Sequence, residues 1–158
     1  MSFKVETARP EDIHEVIALL HKFAEYENLQ DYCEITPEKL SDVVFGEGRF
    51  VRCLVARDSD AVIGYAIYYP NFATFRGQRG IYLEDLFVKD DRRGSGVGDA
   101  ILRALAREAK DMGCERIDFQ VLEWNQPAIG FYFKLGALRD DEERHFKFVD
   151  EAFQRLAT

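Results

Sequence analysis

Cysteine is scarce in this chain, and the three cysteines form no recognisable pattern. Cys33, Cys53 and Cys114 are an odd number, and none has the CxxC or Cys/His spacing of a zinc site. Disulfide-stabilised secreted domains carry more cysteines, usually in even sets. The sequence therefore predicts reduced thiols, no metal centre and a cytoplasmic location.

Long apolar runs and a basic surplus are also missing. No hydrophobic stretch is long enough to span a bilayer, and the N-terminal MSFKVETARPED lacks the apolar core of a signal peptide. The chain has 21 Lys and Arg against 29 Asp and Glu, a net charge of -8. Because nucleic-acid binding needs a basic surface, we expect no nucleic-acid partner. Because the apolar runs are short, we expect no membrane span. The acidic balance is compatible with cationic substrates.

The remaining composition is typical of one folded domain, predicted over residues 1–158. Hydrophobic residues make up 47% of the 158 residues, and no repeat or linker divides them. Hydrophobic periodicity predicts the order β-α-α-β-β-β-α-β-α-β, with three strands in succession. This order indicates an α/β fold with a mixed sheet and an antiparallel section, rather than a doubly wound Rossmann domain.

Local signals place these elements along the chain. Helices are expected to start at Pro10, after Thr36, from about Gly96 and after Asn125. Strands are predicted at 2–8, 49–57, 61–69, 81–88, 116–122 and 144–150.

The apolar alternation of the predicted strand 81–88 breaks at Asp85 and resumes at Leu86. A shift of one residue is what a β-bulge produces, although Phe87 is also apolar and leaves the pattern ambiguous. An acid inside an apolar strand is costly unless it has a partner. Glu84 and Asp85 are therefore candidate functional acids, with a solvent-facing acidic pair as the alternative. Neighbouring strand residues face opposite sides, so the two acids could share a task only if a bulge redirects one.

Three glycines at alternate positions separate this strand from the next predicted helix. Gly94, Gly96 and Gly98 would let the backbone adopt positive φ and approach a ligand closely. The amides of a helix N-terminus, together with Arg93, favour a phosphate there. The spacing is not a dinucleotide fingerprint, because Asp99 stands third after Gly96, and the P-loop lysine is absent. A pyrophosphate site and an ordinary glycine-rich turn both remain possible on this pattern alone.

The stretch RGSGVG at 93–98 resembles the R/Q-x-x-G-x-G/A signature of the GCN5-related N-acetyltransferase (GNAT) family. Further segments, FAEYE at 23–27, YLEDLFV at 82–88 and EWNQPAIGFY at 123–132, resemble its diamine branch, of the spermidine/spermine or thialysine type. The resemblance covers nearly the whole chain. It implies a GNAT fold with helices on both faces of the sheet, acetyl-CoA as co-substrate without a metal, and a homodimer.

The resemblance also implies roles for individual residues. Tyr132 would protonate the coenzyme A thiolate, with a core aromatic as the alternative, and Glu84 would accept the amine proton through water. Asn125 would contact the cofactor, although its position as a helix cap would also explain it. The implied contacts to acetyl-CoA are Leu86, Phe87, Val88, Arg93, Gly94, Ser95, Gly96, Val97, Gly98, Asn125 and Tyr132. The implied contacts to the acceptor are Tyr26, Glu27, Glu84, Asp85 and Phe75.

The acceptor is expected to be a small cation. Segment 25–34, EYENLQDYCE, has four acids and no Lys or Arg, a charge pattern that attracts amines. Ala73-Thr74-Phe75 differs from the Asp-Pro-Trp of spermidine/spermine enzymes and is similar to the thialysine type. Arg76 or Arg79 could then meet a substrate carboxylate. We expect a diamino acid slightly ahead of a polyamine. The alternatives are a protein Nα- or lysine acetyltransferase and a non-catalytic acyl-CoA-binding module.

Overall fold

The structure is a computed structural model that describes residues 2–158, and its contacts divide the chain into two compact units. The first ends at Gln120 and the second is Val121–Thr158. The prediction of one domain over residues 1–158 stays a prediction. Within residues 2–158, none of the helices has the length and apolar content that a membrane crossing requires.

The first unit contains eight of the regular elements described in the chain. These are β1 (Lys4–Thr7), α1 (Ile13–Tyr26), α2 (Pro37–Phe45), β2 (Arg52–Asp58), β3 (Ala61–Ala73), β4 (Gln78–Val88), α3 (Val97–Asp111) and β5 (Arg116–Phe119). The second unit contains α4 (Gln126–Lys134) and α5 (Asp150–Leu156).

The five strands form one mixed sheet in sequence order. Strands β1 to β4 pair antiparallel, whereas β4 and β5 pair parallel. A parallel pair needs a crossover, and α3 provides it between β4 and β5. The predicted mixed sheet with antiparallel N-terminal strands is confirmed.

Helices cover both faces of this sheet in the first unit, as predicted. Val16 and Ile17 of α1 and Leu40 of α2 pack on one face, in a cluster with Tyr65 and Phe87. The other face is covered by α3, whose apolar stripe is buried: Val97, Ile101, Leu105 and Ala109. The apolar spacing of each helix therefore decides which side of that helix packs on the sheet.

A buried ion-pair network fixes the start of α1 against the sheet edge. Arg57 of β2 is only 8% exposed, and its guanidinium donates to Asp12 at 2.8 and 2.9 Å and to Glu6 at 2.8 Å. The hydrogen bond from Arg57 is the main cause that lowers the pKa of Glu6 to about 2. The network therefore fixes the first turn of the helix whose last residue is Tyr26, a predicted acceptor residue.

The predicted strand at 144–150 is wrong. Residues 144–149 belong to no ladder of the described sheet, and α5 begins at Asp150, where no helix was predicted. The alternation that suggested a strand leaves Phe146 and Phe148 exposed, at 88% and 68%. A strand is stabilised by its cross-strand neighbours, so alternation without a partner does not suffice. Likewise, β5 ends at Phe119 rather than at residue 122.

Candidate active site

Strand β4 contains a β-bulge at the place that the broken alternation indicated. Ile67 of β3 faces Asp85, but the next residue, Tyr68, faces Leu83, so Glu84 is an extra residue in β4. The apolar side chains on either side of the acid pair belong to the face covered by α3. Both acids therefore project from the opposite face, the one covered by α1. The bulge makes a shared task for the two carboxylates possible.

Asp85 is the more enclosed acid of the pair. The Tyr65 hydroxyl lies 3.4 Å from Asp85 Oδ2 and donates a hydrogen bond to it. Burial raises the pKa of Asp85 to about 7, and the charges of Glu84 and Glu27 act in the same direction. The hydrogen bond from Tyr65 acts against that rise. A carboxyl group with this pKa can bind or exchange a proton at neutral pH.

Glu84 is exposed, and its partner is another tyrosine of β3. The Tyr69 hydroxyl donates to Glu84 Oε2 at 3.2 Å, while its ring stacks on Tyr82 with centroids 5.4 Å apart. Burial raises the pKa of Tyr69 to about 12, so the hydroxyl keeps its proton and acts as a donor. Sequence reasoning missed Tyr65 and Tyr69, because neither belongs to a motif. Which acid each tyrosine contacts is known only from the pairing of β3 with β4.

The end of α1 lies beside the glycine-rich loop. The Arg93 guanidinium lies over the ring of Tyr26 at 4.6 Å and over that of Phe87 at 5.2 Å. Phe87 also stacks on Phe23 of α1, with centroids 5.1 Å apart. Burial raises the pKa of Glu27, which follows α1. The structure thus brings a predicted acceptor residue, Tyr26, together with two predicted cofactor residues, Phe87 and Arg93.

The glycine-rich loop has the backbone that a phosphate site requires. Gly94 and Gly96 have φ of 76° and 86°, in the left-handed region that favours glycine. Gly96 caps α3, whose first amides have no carbonyl partners within the helix. Asp99 is an acid in that first turn, and its carboxylate forms a salt bridge with Arg103 at 2.8 Å, so its negative charge is paired. These features fit a pyrophosphate; the contacts themselves stay a prediction for residues 93–98.

The edge of β4 beyond the bulge fits an extended ligand arm. Its parallel pairing with β5 ends at Leu83 and Phe119, while β4 continues to Val88. The side chains of Leu86, Phe87 and Val88 pack into the two cores, so the backbone is the part left to pair. Strand-like pairing with the pantetheine arm of coenzyme A, as the resemblance implies, suits this edge.

The second unit holds two of the predicted site residues, both on or beside α4. Asn125 caps the helix, since its side-chain oxygen accepts from the Ala128 amide at 3.4 Å; the predicted cap is confirmed. The ring of Tyr132 packs edge-on against Phe131, with centroids 5.1 Å apart. Burial raises the pKa of Tyr132 to about 12, so its hydroxyl is protonated at neutral pH. Their cofactor contacts stay predictions.

Phe75 lies at the tip of the β3–β4 hairpin, where its side chain is fully exposed. Arg76 is in the same turn, and Arg79 precedes Glu84 by five residues of β4, about 17 Å at the usual strand rise. That separation is longer than a small diamino acid. The predicted role of Phe75 stays a prediction.

Comparison with known proteins gives consistent results. The Acetyltransferase (GNAT) family model matches residues 14–137. Thialysine N-epsilon-acetyltransferase from Bos taurus is 39% identical over 164 residues, covering 97% of this chain and 96% of the relative. L-ornithine N5-acetyltransferase from Arabidopsis thaliana is 32% identical over 120 residues, 76% of this chain and 45% of the relative.

A solved structure shows that the likeness extends to the fold. An integron cassette protein from the mobile metagenome of V. cholerae superposes with a TM-score of 0.82 at 25% identity, covering 99% of this chain and 98% of that one. The family match spans most of the chain, and the bovine relative nearly all of it. The chain therefore belongs to the Acetyltransferase (GNAT) family, in its diamine N-acetyltransferase branch, and is an acetyltransferase of a family that uses acetyl-CoA as co-substrate.

Proposed function

We propose that this enzyme acetylates the side-chain amine of a small diamino acid, such as thialysine, ornithine or a lysine analogue. The observation that carries the proposal is the acid pair of the bulge, Glu84 and Asp85, on the face where α1 ends. Carboxylates on one face would bind a substrate ammonium by charge-assisted hydrogen bonds. Glu27 adds to the negative charge around Asp85.

The acids would also take the proton that the amine must lose. In the proposed sequence, Asp85 binds the ammonium and Glu84 accepts its proton through water. The free amine then attacks the thioester carbonyl of acetyl-CoA, the C–N bond forms, and the C–S bond breaks. The second proton of the nitrogen passes to the departing thiolate, so that the products are the amide and coenzyme A. Backbone amides of β4 near Phe87 are the proposed donors to the carbonyl oxygen.

Direct attack by the amine is favoured over an acetyl-cysteine intermediate on Cys53. Cys53 belongs to the same core as Tyr65, but burial raises the pKa of its thiol to about 12. The thiolate is the nucleophilic form of cysteine, and at this pKa it is scarcely populated at neutral pH.

Tyr132 is the proposed donor to the departing thiolate. With a pKa of about 12, its hydroxyl is a weaker acid than an ordinary thiol, whose pKa is about 8.5. Complete proton transfer would therefore be uphill by about three to four pKa units. We infer that Tyr132 acts mainly by a hydrogen bond to the charge that develops on sulfur.

The preference for a diamino acid rests on the relatives. The two relatives compared above are named for thialysine and L-ornithine, both diamino acids. Each of these amines carries an α-carboxylate, which a polyamine lacks. The amine-acetylating relatives do not favour a protein acetyltransferase or a non-catalytic module.

The test is a coenzyme A release assay with substrates matched in pairs. Ornithine and putrescine, like lysine and cadaverine, differ only by the α-carboxylate. Thialysine, spermidine and a lysine peptide complete the set. We expect kcat/KM for a diamino acid at least about tenfold above its decarboxylated partner, the effect of one good charged contact. Spermidine turned over far faster than ornithine and thialysine would overturn the diamino acid proposal.

We further propose that the enzyme is a cytoplasmic homodimer. The three cysteines are free, which suits a reducing compartment. In the second unit, large apolar side chains are exposed on and before α5, which suits a surface that a second copy covers: Leu138, Phe146, Phe148, Phe153 and Leu156. The family resemblance supports the same assembly.

A further inference from the structure

We propose that Tyr65 is a positioning residue that favours the ionised form of Asp85 and orients this carboxylate for the substrate ammonium. This inference deepens the proposed function and rests on it, because Asp85 matters to catalysis only if that carboxylate binds the amine. The sequence motifs include Asp85 but not Tyr65. Tyr65 lies in β3, and its hydroxyl contacts Asp85 of the neighbouring strand β4.

The geometry leaves the Tyr65 hydroxyl directed at the acid. Tyr65 is 0% exposed and faces Phe87 across the β3–β4 ladder, with ring centroids 6.4 Å apart. Cys53 and Val55 belong to the same apolar cluster. Because the bulge turns Asp85 toward this face, its Oδ2 comes within 3.4 Å of the Tyr65 hydroxyl.

The direction of the hydrogen bond is determined by the chemistry of its surroundings. Burial holds the pKa of Tyr65 well above 10, so the hydroxyl keeps its proton and can donate it to a carboxylate. An ionised acceptor is favoured by such a donor. The charged and titratable groups that face the pair come from several elements: Glu84, Glu27, Cys53, Cys33 and, over Phe87, Arg93.

Without the Tyr65 hydroxyl, no hydrogen bond from this residue would oppose the effects that raise the pKa of Asp85. Burial and the charges of Glu84 and Glu27 all favour the protonated carboxyl group. A protonated carboxyl group has no charge to offer an ammonium. Removal of the hydroxyl should therefore reduce amine capture at low pH, and the loss should disappear at high pH, where the carboxylate forms again.

The experiment compares pH profiles of kcat/KM for Tyr65→Phe and the wild type, with the best amine of the panel. Phenylalanine keeps the ring that packs on Phe87, so far-ultraviolet circular dichroism, which reports the helices and strands, should be unchanged. We expect the acid limb to move up by about 0.5 to 1 pH unit, a loss of about 3- to 10-fold below it. The two profiles should converge above about pH 9, where Asp85 is ionised in the wild type and in the variant.

Tyr68→Phe is the matched control. It removes a buried tyrosine hydroxyl from the same strand, but on the opposite face, where that hydroxyl bonds Glu108. Its acid limb should coincide with that of the wild type. An equal shift in Tyr68→Phe would show a general effect of weakened packing and would overturn the inference.

A second readout does not depend on turnover. In protein labelled with ¹³C at aspartate carboxyl groups, the Asp85 resonance is assigned by its loss in Asp85→Asn, and its titration is followed in both forms. Its midpoint should rise in Tyr65→Phe, and an unchanged midpoint would overturn the inference. A raised midpoint with an unmoved kinetic limb would support the Tyr65–Asp85 link and contradict the proposed role of Asp85.

A measurement on protein with Tyr65 intact covers the case in which Tyr65→Phe does not fold. The Tyr65 hydroxyl proton should be protected from exchange and shifted downfield by its carboxylate acceptor. In Asp85→Asn it should move upfield, because the charged acceptor is gone. An unchanged hydroxyl resonance would contradict the hydrogen bond.

Discussion

At the scale of single residues, Tyr132 offers the most direct test of the leaving-group step. Tyr132→Phe deletes only the hydroxyl and keeps the ring against Phe131. We expect kcat to fall by about 10²-fold, the usual size for losing one hydrogen-bond donor to a charge that develops in the transition state, with the Kd of acetyl-CoA nearly unchanged. Steady-state kinetics measure kcat, and calorimetric titration with acetyl-CoA in the absence of an amine measures the Kd.

Tyr68→Phe again serves as control for the loss of a tyrosine hydroxyl, and its kcat should stay near the wild-type value. If Tyr132→Phe also retained full kcat, Tyr132 would have no part in the chemistry. A role for this hydroxyl was suggested by the family resemblance, because Tyr132 ends the segment 123–132 that resembles the diamine branch. Tyr65 has no such neighbour, since the acid that it serves lies twenty residues away in the chain.

At the scale of elements, the start of α3 decides whether the loop can bind a phosphate. Gly96 has φ of 86°, a conformation that costs other residues about 1–2 kcal/mol. Gly96→Ala should shift the loop and misplace the helix amides. We expect the Kd of coenzyme A to rise by about tenfold in calorimetric titration, while the KM of the amine changes little.

Gly48→Ala is the matched control, because the φ of Gly48 lies outside the left-handed region and an added Cβ would meet open space. Its Kd for coenzyme A should equal that of the wild type. Equal affinities for Gly96→Ala and wild type would contradict the assignment of this loop to the cofactor.

The bulge of β4 shows what an element-level pattern can and cannot predict. Successive side chains of a strand point to opposite faces of the sheet. One extra residue therefore shifts the apolar pattern, and the sequence shows that shift as a break at Asp85. The partners of the acids depend on which residues of β3 lie opposite, and the hairpin length and the bulge together set that register. Local alternation therefore predicted the bulge but not Tyr65 or Tyr69.

At the scale of the whole molecule, the exposed apolar segment before α5 predicts self-association. Light scattering should give twice the chain mass for the wild type. Phe146→Ser with Phe148→Ser should shift the protein toward the monomer, because two exposed aromatic rings would no longer be buried between copies.

Phe50→Ser provides the comparison, since Phe50 is similarly exposed but belongs to the first unit. This variant should remain a dimer. A wild type that is monomeric at all concentrations would contradict the homodimer, and a dimeric double variant would exclude this segment as its interface.

The sequence by itself determined the class of protein: the α/β order, the glycine-rich loop, the acid pair and the family that these motifs share. Such features are local, because spacing along the chain decides a helix stripe, a positive φ or a break in alternation. Only the tertiary structure decided that both acids share one face, that tyrosines of β3 bind them, that Arg93 lies over Tyr26, and that 144–150 is not a strand. Each of these depends on contacts between residues distant in sequence, which pairing and burial create.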